Sequence, residues 1–180
     1  MSSRITPVNP ATVQGPVKDI LASIKAKIGM VPNALKTMAH APAALEGYLS
    51  LSGALSKGVL PAKVREQIAL TVSQANQCEY CLSAHSVTGK LAGLTPEQIL
   101  AARKGTADDP KTQAVLQLVH DIHERRGNVT DEQLAAARKA GVNDAELAEV
   151  VGNVALMTLT NYLNQMARTD IDFPRVLAAI

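Results

Sequence analysis

The chain has 180 residues, long enough for one substantial core, and 47% of them are hydrophobic against 19% charged, which excludes a disordered chain. Its 18 basic and 16 acidic side chains leave a formal net charge of +2 and lie scattered, so no basic stripe for nucleic acid is formed. The sequence has neither the charged-then-apolar opening of a signal peptide nor an apolar run fit to span a bilayer, so a cytoplasmic location with no membrane partner is expected.

With no Trp, one Phe and three Tyr against abundant Ala and Leu, the core has to be built from small and unbranched aliphatic side chains. These residues have the best helix propensity, and the fold class expected is all-α. Residues 1–17, rich in Pro, Thr and Val with no helical period, read as an extended arm, and 18–180 as a single helical domain. Start signals then recur along the chain. Leu60-Pro61 and Asp109-Pro110 place Pro at a helix start, and Thr95 with Gln98, Thr130 with Gln133 and Asn143 with Glu146 are capping boxes. Helices are predicted over 16–28, 42–56, 61–75, 77–92, 96–104, 110–126, 131–139 and 144–168, with no strand. "TPEQILAARKG" from Thr95 and "TDEQLAAARKAG" from Thr130 each precede a long apolar helix, which fits either an internally duplicated helical hairpin or one capped helix used twice.

The most specific stretch is "QCEYCLSAHS", Gln77 to Ser86, which holds the only two cysteines of the chain. Asn76 with Glu79 reads as a capping box that makes Cys78 the second residue of a helix, where the positive end of the dipole favours a thiolate. At about 100° per residue, Cys78, Cys81 and His85 fall within about 60° of one another on one helical face. Tyr80 sits in the same turn and reaches the cluster only from the flank. In a reducing compartment such a pair serves redox chemistry or metal binding rather than as a staple. A cycling dithiol would use His85 as its proton partner. Zinc would use Cys78, Cys81 and His85 with a fourth ligand from Glu66, His120 or His123, although no second two-ligand motif is present. Inert, buried cysteines are the third possibility. One helix earlier, Glu66 lies on a strip of small residues, where a carboxylate needs a partner such as His85. His120 and His123 read as helix-edge residues, His40 has no evident partner, and "NYLNQM" (Asn161 to Met166) reads as packing and polar interface.

Glu66, eleven intervening residues, Cys78-Glu79-Tyr80-Cys81, three more and His85 give an E-x11-CxxC-xxx-H spacing that resembles the AhpD-like alkylhydroperoxidases of the carboxymuconolactone decarboxylase superfamily. "IGMVPNALKTMAHAPAALEGYL" from Ile28 and "GVNDAELAEVVGNVALMTLTNYLNQMA" from Gly141 are similar to the peroxidase-related branch. The resemblance implies an AhpD-like helical bundle that assembles into trimers or hexamers. It implies a cofactor-free peroxidase with Cys81 as the attacking thiolate, Cys78 as the more exposed resolving thiol, and His85 and Glu66 in a proton relay. Tyr80 stands where the family's best-known members carry a histidine; its pKa near 10 makes it a poor base at neutral pH, and it is expected to orient a water or a developing charge. The cysteine pair sets the chain apart from the decarboxylase branch, whose chemistry needs no CxxC. The expected function is reduction of alkyl hydroperoxides with an external dithiol, a lipoyl-protein or a thioredoxin-like donor, as reductant. The alternatives are a zinc-binding structural module and a redox-sensing disulfide protein without turnover.

Overall fold

A computed structural model of the chain describes residues 3–180; the first two residues of the predicted arm lie outside the described residues. Among the described residues there are nine α-helices and no strand: α1 (Pro16–Ile28), α2 (Asn33–Met38), α3 (Pro42–Leu55), α4 (Ala62–Ala75), α5 (Glu79–Leu91), α6 (Pro96–Arg103), α7 (Pro110–Arg125), α8 (Asp131–Lys139) and α9 (Asp144–Ala167). Eight of them begin and end within two residues of the predicted spans. The ninth, α2, is six residues long, too short to show a period, and forms because Pro32 opens it and Ala34, Leu35, Thr37 and Met38 are buried.

The three capping boxes form in both directions, and the Asp109 carboxylate accepts from the Thr112 amide at the start of α7. The two similar short helices dock on different partners, α6 chiefly on α4 and α8 on α7. The arm is pinned rather than free. The Arg4 amide donates to the Ala167 carbonyl, the Val8 amide to Lys36, and His40 Nε2 meets the Thr6 carbonyl at 2.8 Å.

Helix α4 is the hub, packed against α5, α6, α7 and α9. Its middle is buried on all sides, from Gln67 to Ser73, with Ile68, Leu70 and Val72 fully enclosed. Burying one such aliphatic side chain stabilises the fold by about 1.5–3 kcal/mol. A second, smaller cluster of Val17, Leu21, Ile24, Leu35, Met38 and Leu45 ties α1, α2 and α3 together.

The turn from α4 to α5 fixes the geometry of the site. The Gln77 amide donates to the Gln74 carbonyl and the Cys78 amide to Ser73, the paired bonds of a Schellman motif, with Gln77 at φ 53 in the left-handed position. A glycine is usual there; a non-glycine residue costs about 1 kcal/mol. The tight reversal makes α4 and α5 antiparallel, so Glu66, ten residues before Asn76, returns to the level of His85.

Candidate active site

Helix α5 starts later than its sequence suggests, and Cys78, not Asn76, caps it. The Cys78 sulfur accepts from the Cys81 amide at 3.4 Å. Asn76 is occupied as the last cap position of α4, and its amide donates to Asn161 Oδ1 at 3.0 Å, so it cannot form the box with Glu79. The expected exposed, dipole-activated Cys78 is also corrected. Cys78 is 1% exposed and Cys81 3%, both as free thiols.

The two sulfurs lie 2.8 Å apart, with Cys78 donating its S–H to Cys81. Keeping that proton, together with burial, pushes the Cys78 thiol far up. Burial pushes Cys81 up as well, but the hydrogen bonds from Cys78 and Asn164 and the charge of His85 outweigh it and bring Cys81 down to about 7. Of the pair, Cys81 is the more easily ionised.

His85 Nδ1 and Glu66 Oε2 are 2.8 Å apart, and the Thr88 hydroxyl donates to the same carboxylate oxygen at 2.6 Å. Burial opposes the charge on both partners. Their mutual attraction wins, raising His85 above its ordinary value and holding Glu66 below the usual carboxylate range. With Nδ1 committed to Glu66, the other ring nitrogen of His85 is left for the site.

Cys81 and His85 line one cavity of about 560 Å3, walled mainly by apolar groups such as Met30, Leu35, Tyr48 and Phe173. Burial, then the charges on Cys81 and Glu66, push the Tyr48 phenol up to about 12, so it stays neutral. Cys78 lines a different, more polar depression of about 660 Å3 together with Gln77, Gln165, Arg168 and Arg175. Asn164 lines both.

Tyr80 bonds partners other than Glu66 and His85. Its hydroxyl donates to Asp172 Oδ1 at 2.8 Å and accepts from the Ala34 amide at 3.0 Å, and burial raises its pKa. Its ring meets Phe173 edge-on at 5.8 Å. Its neighbour Glu79 pairs with Arg175 at 2.7 Å. Both residues between the cysteines are thus held by the segment after α9. His120 and His123 line a separate pocket beside Gly105, away from the cysteines. No cluster of three or more His, Cys, Asp or Glu side chains suited to a metal occurs among the described residues.

Sequence reasoning missed Asn164, Asn161, Thr88, Tyr48 and Asp172. The stretch "NYLNQM" supplies two of them. Asn164 Nδ2 donates to Cys81 Sγ at 3.3 Å, and Asn161, fully buried, donates to the Ser73 hydroxyl. Two asparagines one turn apart on the buried face of an apolar helix were the available signal.

The carboxymuconolactone decarboxylase family matches residues 42–121. The chain is 28% identical over 116 residues to an alkyl hydroperoxide reductase of Mycobacterium tuberculosis, a match that covers 63% of this chain and 34% of that protein. The chain thus spans about a third of the length of that curated relative. Among solved structures it is similar to an alkylhydroperoxidase AhpD core, a peroxidase-related protein from Ralstonia eutropha, with a TM-score of 0.85, 24% identity and coverage of 94% of this chain and 92% of that one. It also shares its fold with the debrominase Bmp8, solved as a Cys-to-Ala variant with 2,3,4-tribromopyrrole, at a TM-score of 0.80, 18% identity and coverage of 96% and 93%.

Proposed function

We propose that the chain is an AhpD-like member of the carboxymuconolactone decarboxylase superfamily and a thiol-dependent peroxidase that reduces alkyl hydroperoxides through its CxxC pair. The observation that carries this reading is the Cys78–Cys81 sulfur pair, 2.8 Å apart, with Cys81 set in an apolar cavity that a Glu66-anchored His85 also lines.

In the cycle, the Cys81 thiolate attacks the terminal oxygen of the hydroperoxide. The S–O bond forms as the O–O bond breaks, sulfur is oxidised to a sulfenic acid, and the leaving alkoxide takes a proton from the His85 imidazolium to give the alcohol. Glu66 keeps that imidazolium charged and oriented. Cys78 then condenses with the sulfenic acid, releasing water and closing a disulfide. Its sulfur is already within 0.8 Å of the roughly 2.0 Å bond length. An external dithiol, from a lipoyl-protein or a thioredoxin-like donor, reduces the disulfide and takes its place as the oxidised species. No cofactor is required, and the cytoplasm is the compartment in which reductant of this kind is supplied.

The subunit is proposed to work as a homo-oligomer, a trimer or hexamer. Support comes from an uncovered apolar seam on α9, where Val151, Leu159, Tyr162 and Met166 are each 45–59% exposed on one helical stripe.

Stoichiometric peroxide consumption tests the cycle. With a supplied dithiol the wild-type protein turns over, Cys81→Ser consumes none, and Cys78→Ser consumes about one equivalent and stops as a sulfenic acid trapped at Cys81. Retention of the first equivalent by Cys81→Ser and its loss from Cys78→Ser would reverse the roles. Bromide release from 2,3,4-tribromopyrrole in place of peroxide consumption would move the reading to reductive dehalogenation. A stoichiometric zinc in protein purified without chelator would replace it with the structural module, and a disulfide that forms without turnover would replace it with a redox sensor.

A further inference from the structure

The side chain of Asn164 is 4% exposed and reaches the cysteines from α9, a helix that begins more than sixty residues after them. Its Nδ2 donates to Cys81 Sγ at 3.3 Å, while its Oδ1 is buried with no partner. A buried acceptor left unpaired is unfavourable. A half-turn of the amide would bring Oδ1 to the sulfur instead, the better face toward a thiol that has a proton to give. The orientation present pairs best with a sulfur that carries no proton, since a hydrogen bond to such an anion is roughly twice as strong as one between neutral groups. The Cys78 S–H supplies a second donor to the same atom.

We infer that Asn164 is a catalytic residue whose amide N–H, together with the Cys78 S–H, forms a two-donor anion site that holds the Cys81 sulfur as its thiolate. The inference rests on Cys81 being the ionised member of the pair, on which the proposed cycle also depends. It assigns to α9 a part in the chemistry beyond packing. Asn161, one turn earlier, bonds Ser73 and Asn76 and acts on Cys81 in the same direction as Asn164, but more weakly.

The experiment is a pH titration of thiolate absorbance near 240 nm on the reduced full chain, wild type against Asn164→Leu and Asn164→Asp. The second variant keeps the size of the side chain and removes its donor, so it reports even where the leucine variant fails to fold. Wild type should titrate near pH 7. Both variants should titrate higher, Asn164→Leu by about one to two units, the shift expected for losing one hydrogen bond to a charged group, and Asn164→Asp by more, because its carboxylate also repels the thiolate. Alkylation of Cys81 by iodoacetamide at pH 7 should fall by roughly tenfold and recover above pH 9, which a merely structural defect would not do. A titration unmoved in both variants, or a rate loss that persists at high pH, overturns the inference. An Asn164-dependent titration in a protein inert to hydroperoxides leaves it standing and removes the peroxidase reading. Brisk turnover with an unmoved titration does the opposite.

Discussion

A thiol that titrates near pH 7 beside an imidazole held above its ordinary value makes both groups useful in the same narrow range. The first step needs Cys81 without its proton and His85 with its proton, so the rate should rise as pH climbs through about 7 and fall again as His85 deprotonates. Glu66 works on both limbs. Burial alone would lower His85, and Glu66 is the main group that raises it. Without the carboxylate, His85 loses its proton at lower pH and Cys81 loses part of a favourable cation. Glu66→Gln should therefore narrow the profile from both sides and slow the first equivalent of peroxide by roughly 10²-fold, as read by stopped-flow over pH 5.5–9.5. An unchanged profile in that variant would detach Glu66 from the chemistry. These residues were legible in the sequence because they sit on two consecutive helices whose phase follows from the 3.6-residue period. Asn164 and Asp172 were not, since each meets its partner, Cys81 or Tyr80, more than eighty residues away in sequence, and only the packing of α9 and the segment after it brings them there.

The start of α5 is clamped by the irregular segment that follows α9. Asp172 accepts from Tyr80 and from the Asn33 amide, Arg175 holds Glu79, and the Val176 amide donates to Ser83 Oγ at 2.9 Å. The carbonyls of Leu177 and Ala178 are held in turn by Arg103 and Gln74. A segment without regular structure is ordered here because almost every bond it makes ends on α2, α4, α5 or α6. Tyr80→Phe should leave the Ala34 amide without an acceptor and Asp172 Oδ1 without its donor. Denaturant melts should show a loss of about 1–3 kcal/mol, with the Cys81 titration unmoved. A shifted titration with unchanged stability would give Tyr80 the part expected of it, orienting a water or a developing charge beside the cysteines. Helix starts were readable wherever a cap faced solvent. The one at Asn76 misled because a residue that closes α4 in a left-handed turn is no longer free to open α5, and which helix claims it is settled by the reversal rather than by its own side chain.

At the scale of the whole molecule, no helix among the described residues is long and apolar enough to cross a membrane, yet α9 leaves a stripe of large apolar side chains uncovered. Subunit association is the economical way to remove that surface from water. Leu159→Glu, at the middle of the stripe, should shift the sedimentation coefficient at micromolar concentration to that of a monomer while the helical content stays unchanged. A wild-type chain that sediments as a monomer would leave the seam without its proposed occupant. The two sulfurs face different surroundings, Cys81 the apolar cavity and Cys78 the more polar depression, with Asn164 standing between the two. Oxidant and reductant in the proposed cycle therefore need not queue at one opening. In that cycle two electrons would pass from one pocket to the other through a single sulfur pair, and the molecules that supply and receive them would not share a chamber.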